Sequence, residues 1–225
     1  MVEFAFGREL EVPPSMPPAL AMLAGSAADG ELVEPVSFAG LDISEMNLAR
    51  VAAQRIFVED VSFARCDLAS ARFLDGTFER CSFAGASFVN AHLFEVFFQG
   101  CLFTGASFED AKLVLCSFGD SVFDGVDLCG VDLNDANFLG CSLKDTQFRD
   151  ASIPGGMFRN SDLYGANFHN ADLTGCSFLG ANIIGAVFTD AILTDARFDD
   201  GSVDCATFCP DRRARRSAYF DHSSR

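Results

Sequence analysis

The chain has 225 residues, 49% of them hydrophobic, with 25 Phe, 2 Tyr and no Trp. That much apolar material excludes wholesale disorder, and so lopsided a choice of large residue points to one structural slot filled many times. A formal net charge of -16 excludes the Lys/Arg footprint of direct nucleic-acid binding and disfavours anionic membranes, while it suits a basic partner surface, including one built to hold DNA.

The N-terminal segment, residues 1–35, opens without the basic flank of a secretory leader. Its longest apolar stretch, Ala19 to Ala24, is too short for a signal core or a membrane span, so a cytoplasmic location is expected. Pro13, Pro14, Pro17 and Pro18 make a rigid entry to a short helix, predicted from about Pro17 to Ala28 and closed by Asp29-Gly30. Leu20, Met22 and Leu23 are expected to cover the adjoining end of the main body of the chain, and Phe4 and Phe6 to add a strand. The segment reads as a cap, with a dimer contact as the alternative.

From Phe38 the sequence changes character. Taking Phe38 as position i, steps of five reach Phe208 with no insertion or deletion, which makes 35 consecutive pentads over residues 36–210. Position i holds Phe, Leu or Ile in nearly every pentad, and i-2 is usually Ala, Cys, Gly, Ser or Thr. Five is neither the 3.6-residue period of a helix nor the two-residue period of a long strand. In extended backbone, residues two apart share a side, so i-2 and i face inward together while i-1 faces out. Position i+2 is rich in Gly, Asp and Asn, which tolerate turn conformations. One pentad is therefore a short extended side plus a corner, and the repeat winds a solenoid with one large and one small apolar residue inside each side. Phe83, Phe88, Leu93, Phe98, Phe103 and Phe108 are core residues on this reading. The pentads "VAAQR" (Val51–Arg55) and "IFVED" (Ile56–Asp60) lack a large centre, which predicts an irregular first coil or two.

Six of the nine cysteines (Cys66, Cys81, Cys101, Cys116, Cys141 and Cys176) stand in the small inward slot and read as buried hydrophobes rather than disulfide partners. Cys205 and Cys209 lack the second tight ligand pair of a structural zinc site, so no metal is expected. Residues 211–225 leave the repeat as a basic tail with Arg212, Arg213, Arg215 and Arg216.

The five-residue step leaves the number of sides per coil open. The units "ADLTG", "ANFLG", "ASFED", "CSFAG" and "CDLAS", however, resemble those of the pentapeptide-repeat family, whose consensus is A(D/N)LXX with Leu or Phe at the centre. The resemblance covers residues 36–210. It implies an all-β fold, a right-handed quadrilateral β-helix of about eight to nine coils, roughly 40 Å long at about 4.8 Å per coil. It also implies function by binding: the members with a defined activity bind type II topoisomerases, among them the mycobacterial gyrase-binding protein, the quinolone-resistance (Qnr) group and self-immunity factors of antibiotic producers. Such rods resemble B-DNA in width and charge. This chain has no loop projecting from the coils, as Qnr proteins of Gram-negative bacteria do, and no evidently apolar C-terminal dimerisation module.

Nothing in the repeat reads as an active site. His92 and His169 occupy outward slots without a paired nucleophile, and carboxylates on a regular outer surface form no cleft. A non-enzymatic protein without a cofactor is expected. The candidate partner-binding residues are an acidic belt of Glu109, Asp110, Asp120, Asp124, Asp127, Asp132 and Asp135, relieved only by Lys112, and beside it the outward apolar residues Phe94, Phe97, Leu102, Val114 and Leu115. DNA gyrase or topoisomerase IV is the partner implied by resemblance. A general protein-binding scaffold is the alternative, and a homodimer through a capped end is compatible with either.

Overall fold

In the computed structural model, which describes residues 17–29, 31–33, 35–199 and 206–208, parallel pairing joins each residue to the one twenty positions on. Val36 meets Ile56, Arg72 meets His92, Ser107 meets Asp127 and Phe188 meets Phe208. Four pentads therefore close one coil, and the chain winds through about 8 coils of a β-solenoid. The sides can be numbered in chain order. Side one runs through Phe38, Val58 and Phe78, side two through Ile43 and Phe63, side three through Leu48 and Leu68, and side four through Ala53 and Phe73.

Side one shows why Phe recurs. Phe78, Phe98, Phe118, Phe138, Phe158, Phe178 and Phe198 form one column, with successive ring centroids 4.7–5.3 Å apart and planes within 3–16° of parallel. A flat ring stacks on its copy in the next coil at the spacing of neighbouring strands. Rings from other sides meet this column edge-on, as Phe98 does with Phe103 (5.3 Å, 78°) and Phe158 with Phe168 from the opposite wall (5.5 Å, 81°), the geometry that the ring quadrupole favours. Phe83, Phe88, Leu93, Phe98, Phe103 and Phe108 are all buried.

The small slot is not wholly apolar, contrary to the expectation of an interior without polar atoms. Ser121, Thr146 and Ser161 are buried there, each hydroxyl donating to a backbone carbonyl: Gly119 O (3.3 Å), Phe123 O (2.9 Å) and Phe158 O (2.5 Å). The cysteine thiols do the same, Cys141 Sγ reaching Phe118 O at 2.7 Å and Cys176 Sγ reaching Ile153 O at 3.0 Å. A small side chain with a donor is admissible because a carbonyl with a second lone pair lies within reach, in the coil beneath for Thr146, Cys141 and Cys176 and in the same coil for Ser121 and Ser161.

Every described corner from Gly40 to Asp195 has φ between 51° and 74°. This left-handed conformation explains the Gly, Asp and Asn at i+2. From Ser121 to Ala196 each corner is closed by an N–H donated to the carbonyl three residues back, as Val126 N does to Phe123 O (3.0 Å). The N-terminal half differs: strands β4 (Arg72–Glu79) and β5 (His92–Gln99) run straight through the corners at Asp75 and Glu95. They pair with each other and with β3 (Ile56–Glu59) and β6 (Lys112–Val114), while β1 (Val36–Ala39) and β2 (Ala52–Gln54) complete the sheet. At the far end β7 (Val187–Phe188) pairs with β8 (Thr207–Phe208).

Helix α1 spans Pro18–Asp29, one residue displaced from the predicted span. Leu20, Leu23 and Ala24 are buried against the first coil. Met22 is not part of that face: it lies off the i, i+3, i+4 stripe and is 50% exposed. The irregular first coil is also absent, since Val36 to Ala39 pair in register with Ile56 to Glu59. The small residues of "VAAQR" make room for α1 instead. Ala52 stands in an outward slot yet is fully buried, and its N–H donates to Ser26 Oγ at 2.8 Å, so a helix hydroxyl takes the place of the carbonyl that the coil beneath supplies to this N–H elsewhere, as Val51 O does for Arg72 N. Parallel pairing begins at Val33, opposite Ala53. Phe4, Phe6, Cys205, Cys209 and the basic tail lie outside the described residues.

Candidate protein-binding surface

The backbone of a pentad leaves one donor over. In residues 66–70, Cys66 N donates to Phe63 O (3.0 Å), Asp67 N to Met46 O (3.0 Å), Leu68 N to Ser87 O (2.8 Å) and Ser70 N to Val89 O (2.8 Å). The fifth N–H, on Ala69 at i+1, donates to Asp67 Oδ1 at 2.9 Å. In the same way Ala49 N donates to Asn47 Oδ1, Leu139 N to Asn137 Oδ1, His169 N to Asn167 Oδ1 and Thr174 N to Asp172 Oδ1. Asp or Asn at i-1 thus completes the hydrogen bonding of its own turn.

Several belt carboxylates belong to this scaffold role. Asp127 Oδ1 accepts Cys129 N (3.0 Å), Asp132 Oδ1 accepts Asn134 N (3.3 Å), and Asp124 Oδ1 accepts both Ser142 Oγ (2.7 Å) and Lys144 N (3.0 Å). Hydrogen bonds from the Cys129 side chain and backbone hold the Asp127 carboxyl below its ordinary value. Asp120 accepts Gln99 Nε2 at 2.8 Å. Glu109, Asp110 and Asp135 are exposed at or beside corners.

The winding spreads the belt around the rod instead of gathering it on one side. Glu109, Asp110 and Asp127 lie along side three, Asp124 on side two, Asp132 and Asp135 on side four, and Asp120 at the corner after side one. The coil made by residues 116–135 alone carries five carboxylates and no Lys or Arg. The apolar candidates separate more. Phe94, 41% exposed, shares side four with half-buried Val114 and with Leu115. Phe97, 51% exposed, lies round the corner at Glu95 on side one, and Leu102 is a further corner away on side two.

Side four also carries a basic ladder that a five-residue reading misses. Arg72, His92 and Lys112 pair rung to rung in the outward i-1 slot of an otherwise acidic protein. Its signal is a twenty-residue spacing, visible only once the coil length is known.

His169 is exposed, its Nδ1 lying 3.0 Å from Thr189 Oγ1. Burial pushes the thiols of Cys116, Cys141 and Cys176 up to about 12, so they are poor nucleophiles. Among the described residues no group of His, Cys, Asp and Glu is placed to hold a metal ion, and no helix is long and apolar enough to cross a membrane.

Two family models match the chain: a pentapeptide repeat region over residues 71–148, and pentapeptide repeats (8 copies) over 141–180 and 161–200. No curated protein sequence matches. Among solved structures, HetL of the cyanobacterium Nostoc sp. strain PCC 7120, a pentapeptide repeat protein involved in the regulation of heterocyst differentiation, superimposes with a TM-score of 0.65 at 17% identity, over 79% of this chain and 83% of HetL. QnrB1, a plasmid-mediated fluoroquinolone resistance protein, gives a TM-score of 0.44 at 21% identity over 86% of this chain and 85% of its own. A pentapeptide repeat protein of the Arabidopsis thaliana thylakoid lumen gives 0.30 at 24% identity, over 52% and 68%.

Proposed function

Since this chain belongs to the pentapeptide-repeat family, we propose that it works by binding and not by catalysis, as an acidic rod that occupies a basic protein surface shaped for duplex DNA. DNA gyrase or a related type II topoisomerase is the first candidate partner, and modulation of that enzyme or its protection from a quinolone or natural-product inhibitor is the outcome. The observation that carries this reading is the coil of residues 116–135, with five carboxylates on its perimeter and no base. B-DNA presents about one charge per 1.7 Å of axis. One coil rises about 4.8 Å, so this segment equals or exceeds the duplex locally. A partner that grips a DNA segment from more than one direction meets charge on every side of such a belt.

The test is a supercoiling assay with purified gyrase, with and without a quinolone, titrated with this protein. Inhibition or protection that weakens as salt rises is expected. Neutralising the belt with Glu109→Gln, Asp110→Asn, Asp127→Asn, Asp132→Asn and Asp135→Asn should abolish the effect. Asparagine keeps the backbone acceptor at positions 127 and 132, so loss of activity would not reflect loss of fold. No effect of the native protein at large molar excess over gyrase sinks the topoisomerase reading.

A further inference from the structure

Side four between Arg72 and Leu115 is sorted by chemistry into three columns along the rod. Arg72, His92 and Lys112 form the first, Leu74, Phe94 and Val114 the second, and Asp75, Glu95 and Leu115 stand at the corner. An apolar stripe is thus flanked on one edge by the cations Arg72 and Lys112 with the His92 imidazole between them, and on the other by the carboxylates of Asp75 and Glu95. Leu115 adds a second anomaly. It is 40% exposed and adopts φ 58°. Among the described corners it is the one apolar side chain other than the glycines. Left-handed backbone crowds the Cβ of any residue but glycine, and here the side chain that bears it is a leucine with much of its surface in water.

We propose that this stretch is the seam of a side-by-side homodimer, with two rods parallel about a two-fold axis that lies along them. Such an axis keeps height along the rod and reverses left and right across the facing surfaces. Arg72 then stands opposite Asp75 of the second copy and His92 opposite Glu95, each pair formed twice, while the two apolar columns lie side by side on the axis. An axis across the rods would instead set the basic column against itself. The seam has natural limits: α1 covers Ala52 at one end, and at the other Asp132 and Asp135 of the two copies repel. Nine side chains a copy are fewer than the roughly 20–30 of a standard interface, so the dimer dissociates in the micromolar range. The seam uses neither Glu109, Asp110 nor Asp127, and it stands or falls independently of the topoisomerase reading.

Sedimentation velocity of the full chain across micromolar concentrations tests this. The native protein shifts from monomer to dimer. Arg72→Asp with His92→Asp, and separately Asp75→Arg with Glu95→Arg, each raise the dissociation constant at least ~10-fold, because like charges then face each other. Arginine already occupies corners at Arg55, Arg65 and Arg80, so the second pair suits the fold. An equimolar mixture of the two variants regains dimer, since each supplies what the other lacks. Leu115→Asn gives the control for folding: it raises the melting temperature by relieving the corner, yet weakens the dimer. A monomer at every concentration overturns the proposal. So does a dimer indifferent to these substitutions, which would lie at the rod's end or elsewhere, or a mixture that stays monomeric.

Discussion

At the slot before each central residue, a side-chain oxygen decides whether one backbone N–H is satisfied within its own turn. Asp127 and Asp67 do this with a carboxylate, Asn137 and Asn167 with an amide, and the preference for Asp or Asn follows from reach: one carbon fewer than Glu places the oxygen over the N–H two residues on. The corners obey a second local rule. The Asp135 carboxylate leans over Gly155 one coil away, where a Cβ would collide with it, and φ there is +74°. Because the hydrogen bonds from Cys129 lower the Asp127 pKa in the folded state, this group adds stability that is complete above its unfolded value of about 3.9 and is lost as pH falls through the folded one. The melting temperature of the native protein relative to Asp127→Asn should therefore fall between pH 6 and pH 2, because asparagine keeps the acceptor without titrating. A difference independent of pH would show that the carboxylate's charge contributes nothing to the turn.

The helix at the N-terminal end shows the same economy one level up. Leu20, Leu23 and Ala24 cover the first coil, and Ser26 supplies the acceptor that a preceding coil would have supplied. In a stack where each coil touches only its neighbours, damage to the cap stays local. Leu23→Ala should cost about 2–5 kcal/mol, and hydrogen exchange should accelerate at Val36–Ala39 and Ala52 while the amides of residues 136–195 keep their protection. Uniform acceleration along the rod would mean that the coils unfold as one unit. The pentads announce sides and corners in the sequence because inward and outward slots differ in kind. Coil length is not legible there, since a five-residue step serves a square as well as another polygon, and only the pairing of Val36 with Ile56 and its successors settles it. The same ignorance hides the Arg72, His92 and Lys112 ladder. It also makes Asp124 look free for a partner, although its carboxylate is engaged by Ser142 and Lys144 about twenty residues on.

For the whole molecule, the acidic coil and the sorted columns of side four depend on a shared frame: outward residues keep their bearing because each coil returns the chain to the same side after twenty residues. Removal of residues 136–155, one full coil, should leave a protein that melts cooperatively and retains the circular dichroism of the parent per residue. Removal of 136–140 alone should also permit winding, but everything beyond Asp135 then turns by a quarter of a revolution, setting Leu143 above Phe118 where Phe138 stood and breaking the side-one column. A lower melting temperature for the longer of these two shortened proteins is the expected reading, and equal stability would contradict it. Growth and loss in such a gene are consequently quantised. Duplications or excisions of twenty codons adjust reach while preserving compass direction, whereas a five-codon change rewrites which residues look the same way, so rods of different length can share a bearing and rods of similar length need not.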